Sequence, residues 1–90
     1  MKIAGEGPIG LAPGYRFQWE QAQQAYVLLF PEGMITLNGP AGEILRRCDG
    51  ASTFKDLIDD LQRQFPRADL CQDVEEFLQE AHERGWIRIG

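Results

Sequence analysis

The side chains in this chain whose types could do chemistry are few. They are His82, the carboxylates Asp56, Asp59 and Asp60, and the thiols Cys48 and Cys71. A histidine titrates near neutral pH and is the commonest general base, but it needs a nucleophile or an orienting acid beside it. His82 is the only histidine, it stands beside Arg84 near the end of a helical stretch, and it belongs to no recognisable motif. It reads as a solvated helix-end histidine favoured by the dipole. The three aspartates recur at helical spacing on one face, with no second ligand group spaced with them. They read as a solvated face rather than a cation site. Cys48 and Cys71 fall on two different predicted helices, so they make neither a CxxC pair nor a metal knuckle, and both are expected as buried free thiols. Gly5, Gly7 and Gly10 fall at GxGxxG spacing but precede no strand-turn-helix context, so they carry no phosphate-binding reading, and GxxxxGK[ST] does not occur. The chain is therefore read as a non-enzyme without metal or cofactor.

What remains is main-chain chemistry, and the elements decide where it is available. Tyr15, Phe17 and Trp19 alternate with Arg16, Gln18 and Glu20, the period of a half-buried strand over 15–20. Gln21 to Gln24 is a polar turn. Tyr26–Phe30 is a short apolar run in a strand over 25–30, Pro31-Glu32-Gly33 turns the chain, and Met34–Leu37 returns. Asn38-Gly39-Pro40 starts a helix whose apolar positions are Ala41, Ile44, Leu45 and Cys48, stopped by Asp49-Gly50. Thr53, with Asp56 three residues on, caps a second helix carrying Phe54, Leu57, Ile58, Leu61 and Phe65 on one face, ended by Pro66. Asp69 is expected to cap a third helix with the stripe Leu70, Val74, Phe77, Leu78 and Ala81, closed by Gly85. Trp86–Ile89 is a last short strand or an extended tail. The order gives an α+β fold, a three-stranded antiparallel meander followed by three helices lying on one face of the sheet.

The third strand of such a meander, Met34–Leu37, has one neighbour and one free edge, with no lysine or proline to guard it. An unguarded edge beside an apolar helix is the geometry of β-augmentation, in which a guest chain adds a strand and adjoining pockets select its side chains. The same edge could be covered by the N-terminal arm or by a second copy, so a homodimer or domain swap stays open. The candidate peptide-binding residues are Met34, Ile35, Thr36 and Leu37 for their backbone, and Leu70, Asp73, Val74 and Phe77 for a pocket wall.

Ninety residues make one domain with one modest core. Residues 1–14, rich in glycine and proline, read as a flexible arm, and 15–90 as the folded unit. No apolar run approaches the ~20 residues of a membrane helix, and the first ten residues lack a signal-peptide core. A cytoplasmic, non-membrane protein is expected. The net charge of −5 is concentrated in the last helix: residues 66–90 hold six acidic and three basic residues. That favours basic peptides or basic protein surfaces over phosphate-rich partners. The alternative, a winged-helix DNA-binding regulator, would need lysines and arginines where helices two and three present Asp56, Asp59, Asp60, Glu75, Glu76, Glu80 and Glu83.

The stretch LLFPEGMITLNGPAGEILRRCDG resembles coenzyme PQQ synthesis protein D. The resemblance is carried by a Leu-Leu-aromatic-Pro-Glu turn, a Leu-Asn pair, an Ala-x-x-Ile-Leu helix and an Asp-Gly stop. Pro8, Leu11 to Arg16, Asp73-Val74, Phe77-Leu78 and Gly85-Trp86-Ile87 extend it over nearly the whole chain. Pro40 departs from it, standing where a polar helix starter is expected. The resemblance implies a winged-helix-like peptide-recognition element. It implies a chaperone that holds the PQQ precursor peptide as an extra strand and presents it to a radical-SAM enzyme, which cross-links a glutamate to a tyrosine of the peptide. The cofactors would belong to that partner.

Overall fold

A computed structural model describes residues 7–90. Within them the order is β1 (Ile9–Leu11), β2 (Arg16–Glu20), β3 (Ala25–Phe30), β4 (Gly33–Thr36), α1 (Gly39–Arg46), α2 (Phe54–Gln64), α3 (Cys71–Glu83) and β5 (Ile87–Ile89). β2, β3 and β4 form the expected antiparallel meander, and β1 pairs antiparallel with β5 in a second, two-stranded sheet. Trp86–Ile89 therefore contains a true strand rather than a free tail.

Within the segment expected as an arm, Ile9–Leu11 is a strand of the fold. Ile9 is fully buried in the core, it pairs with Ile89, and its N–H donates to the Ser52 carbonyl at 2.8 Å. From Ile9 onward the segment is part of the fold, while residues 1–6 lie outside the described residues. A lone Gly/Pro-rich run reads as loose because its partner strand is some eighty residues away in sequence.

Local chemistry explains the helix ends. Asn38 caps α1, its Oδ1 accepting from the Ala41 N–H at 2.8 Å. Pro40 falls in the first turn, where a missing N–H breaks no helical bond. Thr53 and Asp56 form a reciprocal capping box at α2. Asp49 Oδ1 accepts from the N–H groups of Ala51 and Ser52, both at 2.9 Å, and closes the turn after α1. At the end of α3, Gly85 takes φ +81° and Trp86 N–H reaches back to the Ala81 carbonyl at 2.9 Å, closing the helix as a left-handed glycine does. Asp69 does not cap α3. The cap position is Leu70, with no side-chain bond, and Asp73 supplies the carboxylate of the first turn.

The helix-facing side of the meander carries Phe17, Tyr26, Leu28, Ile35 and Leu37, packed with Ile44, Leu45, Leu57, Leu61, Val74, Leu78 and Ile87 in one core. Cys48 is buried there and Cys71 is exposed, so the expectation of two buried thiols holds for one. Burial, then the nearby Asp49 charge, pushes the Cys48 thiol up to about 12.

α1 approaches β3 so closely that a methyl on Gly42 would lie 2.8 Å from Tyr26 Cδ2 and 3.3 Å from its Cβ. Alanine is favoured over glycine inside a helix by about 1 kcal/mol, while overpacking costs about 1–3 kcal/mol. The clash is with the root of a ring already stacked on Phe17 at 4.7 Å between centroids, so it wins. Gly42→Ala is expected to destabilise the fold by up to about 2 kcal/mol in urea titration; a raised midpoint would contradict the close approach.

Candidate functional site

Two features meet where β4 runs into α1, and the first is the sheet edge. Leu37 N–H donates to the Tyr26 carbonyl at 2.9 Å, so Tyr26 and Leu37 form a hydrogen-bonded pair in the β3–β4 register. Hydrogen-bonded and non-bonded pairs alternate along an antiparallel ladder. Leu28–Ile35 and Phe30–Gly33 are then bonded pairs, while Val27–Thr36 and Leu29–Met34 are not. The main-chain groups of Met34 and Thr36 consequently point away from the sheet, and those of Ile35 and Leu37 are spent on β3. No further strand pairs with β4 among the described residues. Of the four backbone candidates, two offer donors and acceptors outward. The other two contribute side chains to the helix-facing side, where Ile35 is half-buried and Leu37 buried.

The second feature is an apolar groove of about 500 Å³ between the start of α1, the end of α2 and the start of α3. Leu70, Asp73 and Val74 line it as expected; Phe77 does not, being half-packed against the core one turn further on. Sequence reasoning missed the remaining walls: Gly39, Pro40, Glu43 and Ile44 from α1, Leu61 from α2, and Phe65 and Ala68 from the segment after it. Two signals were present. Pro40 puts an apolar ring where a helix start is usually polar. Phe65 directly precedes Pro66, which ends its helix, and in the structure the ring is 41% exposed. Gly39 and Pro40 follow Thr36 by three and four residues, so a chain laid along β4 passes directly to the groove.

Two carboxylates stand at the rim. Glu43 is engaged by Arg46 at 3.4 Å and Arg47 at 2.8 Å, whereas Asp73 is exposed, with no ion-pair partner among the described residues. The Arg47 side chain, only 10% exposed, also bonds Asp60, Gln64 and the Glu43 carbonyl, clamping α1 onto α2 beside the groove. Desolvation works against its charge, but the bonds to Glu43 and Asp60 outweigh it and raise its pKa.

Asp60 gains from the same clamp: the hydrogen bond from Arg47, with Arg63 adding to it, holds its carboxyl below the usual aspartate range. A carboxyl depressed in the folded state stabilises the protein above its unfolded value of ~3.9 and loses that contribution as pH falls through the folded value. Stability is therefore expected to drop below about pH 4. Asp60→Asn should flatten part of that decline, read as urea midpoints from pH 6 to pH 3. A parallel decline in the variant would remove the clamp from the account. Asp49, depressed by the N–H groups of Ala51 and Ser52, keeps its own share.

No group of three metal-ligating side chains occurs among the described residues. Asp56 is used in a cap, Asp59 pairs with Lys55 at 2.8 Å, and Asp60 with Arg47. The arrangement has the parts to bind an extended chain by its backbone and one apolar side chain, and it brings no nucleophile and base together.

A family model described as coenzyme PQQ synthesis protein D matches residues 25–87. The PqqA binding protein of Acinetobacter baylyi is 56% identical over 75 residues, covering 82% of this chain and 76% of that protein. The PqqA binding protein of Methylococcus capsulatus is 43% identical over 88 residues, covering 98% and 95%. Among solved structures, the fold is similar to the solution NMR structure of the PqqD truncation of Methylobacterium extorquens PqqCD, described as a functional, stand-alone recognition element for ribosomally synthesised and post-translationally modified peptides. The TM-score is 0.73 at 21% identity, over 89% of this chain and 87% of that one, a likeness of fold.

Proposed function

The chain belongs to the coenzyme PQQ synthesis protein D family, and on that premise we propose that it binds the PQQ precursor peptide as an added strand on β4. Its relatives are named for binding PqqA. The observation that carries the placement is the unpaired edge of β4, where Met34 and Thr36 aim four main-chain groups outward next to an apolar groove.

Magnitudes require both parts. Four backbone hydrogen bonds contribute roughly 2–6 kcal/mol in total, and micromolar affinity needs about 8 kcal/mol before the ordering of the peptide is offset. One leucine or phenylalanine side chain buried in the groove adds about 1.5–3 kcal/mol. The edge sets direction and register, and the groove selects a side chain. The protein acts without chemistry of its own, delivering the peptide to a radical-SAM enzyme that carries the cofactors, in the cytoplasm where ribosomal products are first available. The regulator alternative gains no support, because the exposed side of α3 presents Glu76, Glu80 and Glu83, which phosphates would repel.

The test is a titration of labelled protein with the precursor peptide, followed by amide shifts. Perturbations at Met34, Thr36 and the groove residues Leu70 and Val74 are expected. Shifts confined to β2 and β3, or no shifts, would overturn the reading.

A further inference from the structure

Two polar side chains fix the walls of the groove without lining it. Arg47 follows the last turn of α1, and its guanidinium donates to four acceptors. Nη1 bonds the Glu43 carbonyl and Glu43 Oε1, both at 2.8 Å, while Nε bonds Asp60 and Nη2 bonds Gln64. Each of these partners is the chain neighbour of an apolar wall: Glu43 precedes Ile44, Asp60 precedes Leu61, and Gln64 precedes Phe65. Gln62 holds the segment beyond α2. Its Nε2 donates to the carbonyls of Phe65 at 3.2 Å, Pro66 at 3.3 Å and Ala68 at 2.8 Å. Phe65 lies past the last helical residue with its ring largely out of the core, so its place depends on these bonds more than on packing.

We propose that Arg47 and Gln62 are positioning residues that preform the groove for one apolar side chain of the guest peptide, setting its affinity and its anchor preference without touching it. The inference rests on the peptide reading above for the groove's occupant, and on the bonds of Arg47 and Gln62 for its shape. Apolar contact is intolerant of walls that drift. A gap of about 0.5–1 Å already forfeits roughly a quarter to a half of the dispersion attraction. Walls that must be ordered by the guest also draw on its binding energy, whereas walls already in place do not. The clamp needs the planar fork of arginine, which reaches α1 and α2 at once. Lysine carries the same charge on a single point donor and cannot hold both helices in one geometry. Gln62 acts through its amide N–H groups alone, so methionine, of similar length and helix preference, removes the bonds while keeping the volume.

Arg47→Lys and Gln62→Met in the full chain are each expected to bind the precursor peptide about threefold to tenfold more weakly by isothermal titration. Amide shifts at Met34 and Thr36 should persist at saturation, since the β4 edge is unaltered. The peptide's anchor is the apolar residue whose alanine replacement weakens the natural chain most. With that alanine peptide the difference between natural chain and variant should fall below about twofold, because the two changes act on one contact. N-acetylphenylalanine amide, followed by methyl shifts of Ile44, Leu61 and Leu70, probes the groove with no peptide present, and both variants should weaken it by a similar factor. Circular dichroism melts report folding, and if Arg47→Lys does not fold, Gln62→Met decides. Folded variants that take peptide and probe as the natural chain does would overturn the proposal. So would an undiminished loss with the alanine peptide, or a natural groove that ignores the probe. A natural chain that takes the probe and refuses the peptide would sink the peptide reading instead, and weaker probe binding in the variants would still uphold the positioning role.

Discussion

Thr36→Pro is expected to fold normally and to bind the precursor peptide about 10–100-fold more weakly than the natural chain. Thr36 sits at a non-bonded position of the β3–β4 ladder, so its N–H serves the guest and not the sheet. Proline is tolerated on an edge strand when its missing N–H faces solvent. The residue before it, Ile35, is already extended, as a pre-proline residue must be. One hydrogen bond alone accounts for a factor of about ten at most. The remainder comes from the ring, which stands where the guest backbone would approach and displaces the bond at Met34 as well. Ile35→Pro is the contrast: one residue away, it removes a donor to Leu28 inside the sheet, and it should lower stability markedly. Isothermal titration and thermal melts of the two variants separate the effects. Natural affinity in folded Thr36→Pro would mean that the peptide does not lie on β4.

Leu78→Ala should show the largest stability loss. Leu78 is fully buried in α3 at the centre of the core, and truncating a buried leucine costs about 2–5 kcal/mol. At 0.05–0.15 kcal/mol per residue a domain of this size holds roughly 5–13 kcal/mol in all, so one substitution removes a large share. Urea unfolding reads this directly. A midpoint shift worth less than about 1 kcal/mol would mean that the site collapses around the alanine. Leu70→Ala, half-buried at the groove, should do the opposite, weakening the peptide more than the fold. Together the pair tests whether α3 divides its apolar stripe between core and guest as its burial indicates.

That division was only half legible beforehand. Leu70, Val74, Phe77 and Leu78 share a helical stripe, and periodicity cannot say which member faces a neighbour and which a cavity. The structure sends Leu78 and Val74 inward and lets Leu70 rim the groove. Phe77 packs away from it. Phe65 was legible as a member of the apolar face of α2, but its 41% exposure follows from α2 ending at Gln64, before the groove is closed.

Read alone, the chain determined the meander, the three helices and several of their ends. Strand alternation, helical stripes, the Asn38 and Thr53 caps and the Gly85 stop depend on residues within a few positions of one another, and each appears in the fold, whereas α1 ends at Arg46, ahead of the expected Asp49-Gly50 stop. The family pattern was legible for the same reason, being a run of such local signals. Tertiary structure decided everything that depends on pairing across distance. β1 is a strand because β5 returns to it. Met34 and Thr36 face outward, and Ile35 and Leu37 do not, because the parity of the β3–β4 register is set by Tyr26 meeting Leu37. The groove exists because three helix ends converge on it. Local free energies select helix or strand residue by residue, whereas the direction in which a main-chain group points is known only once its partner strand is in place.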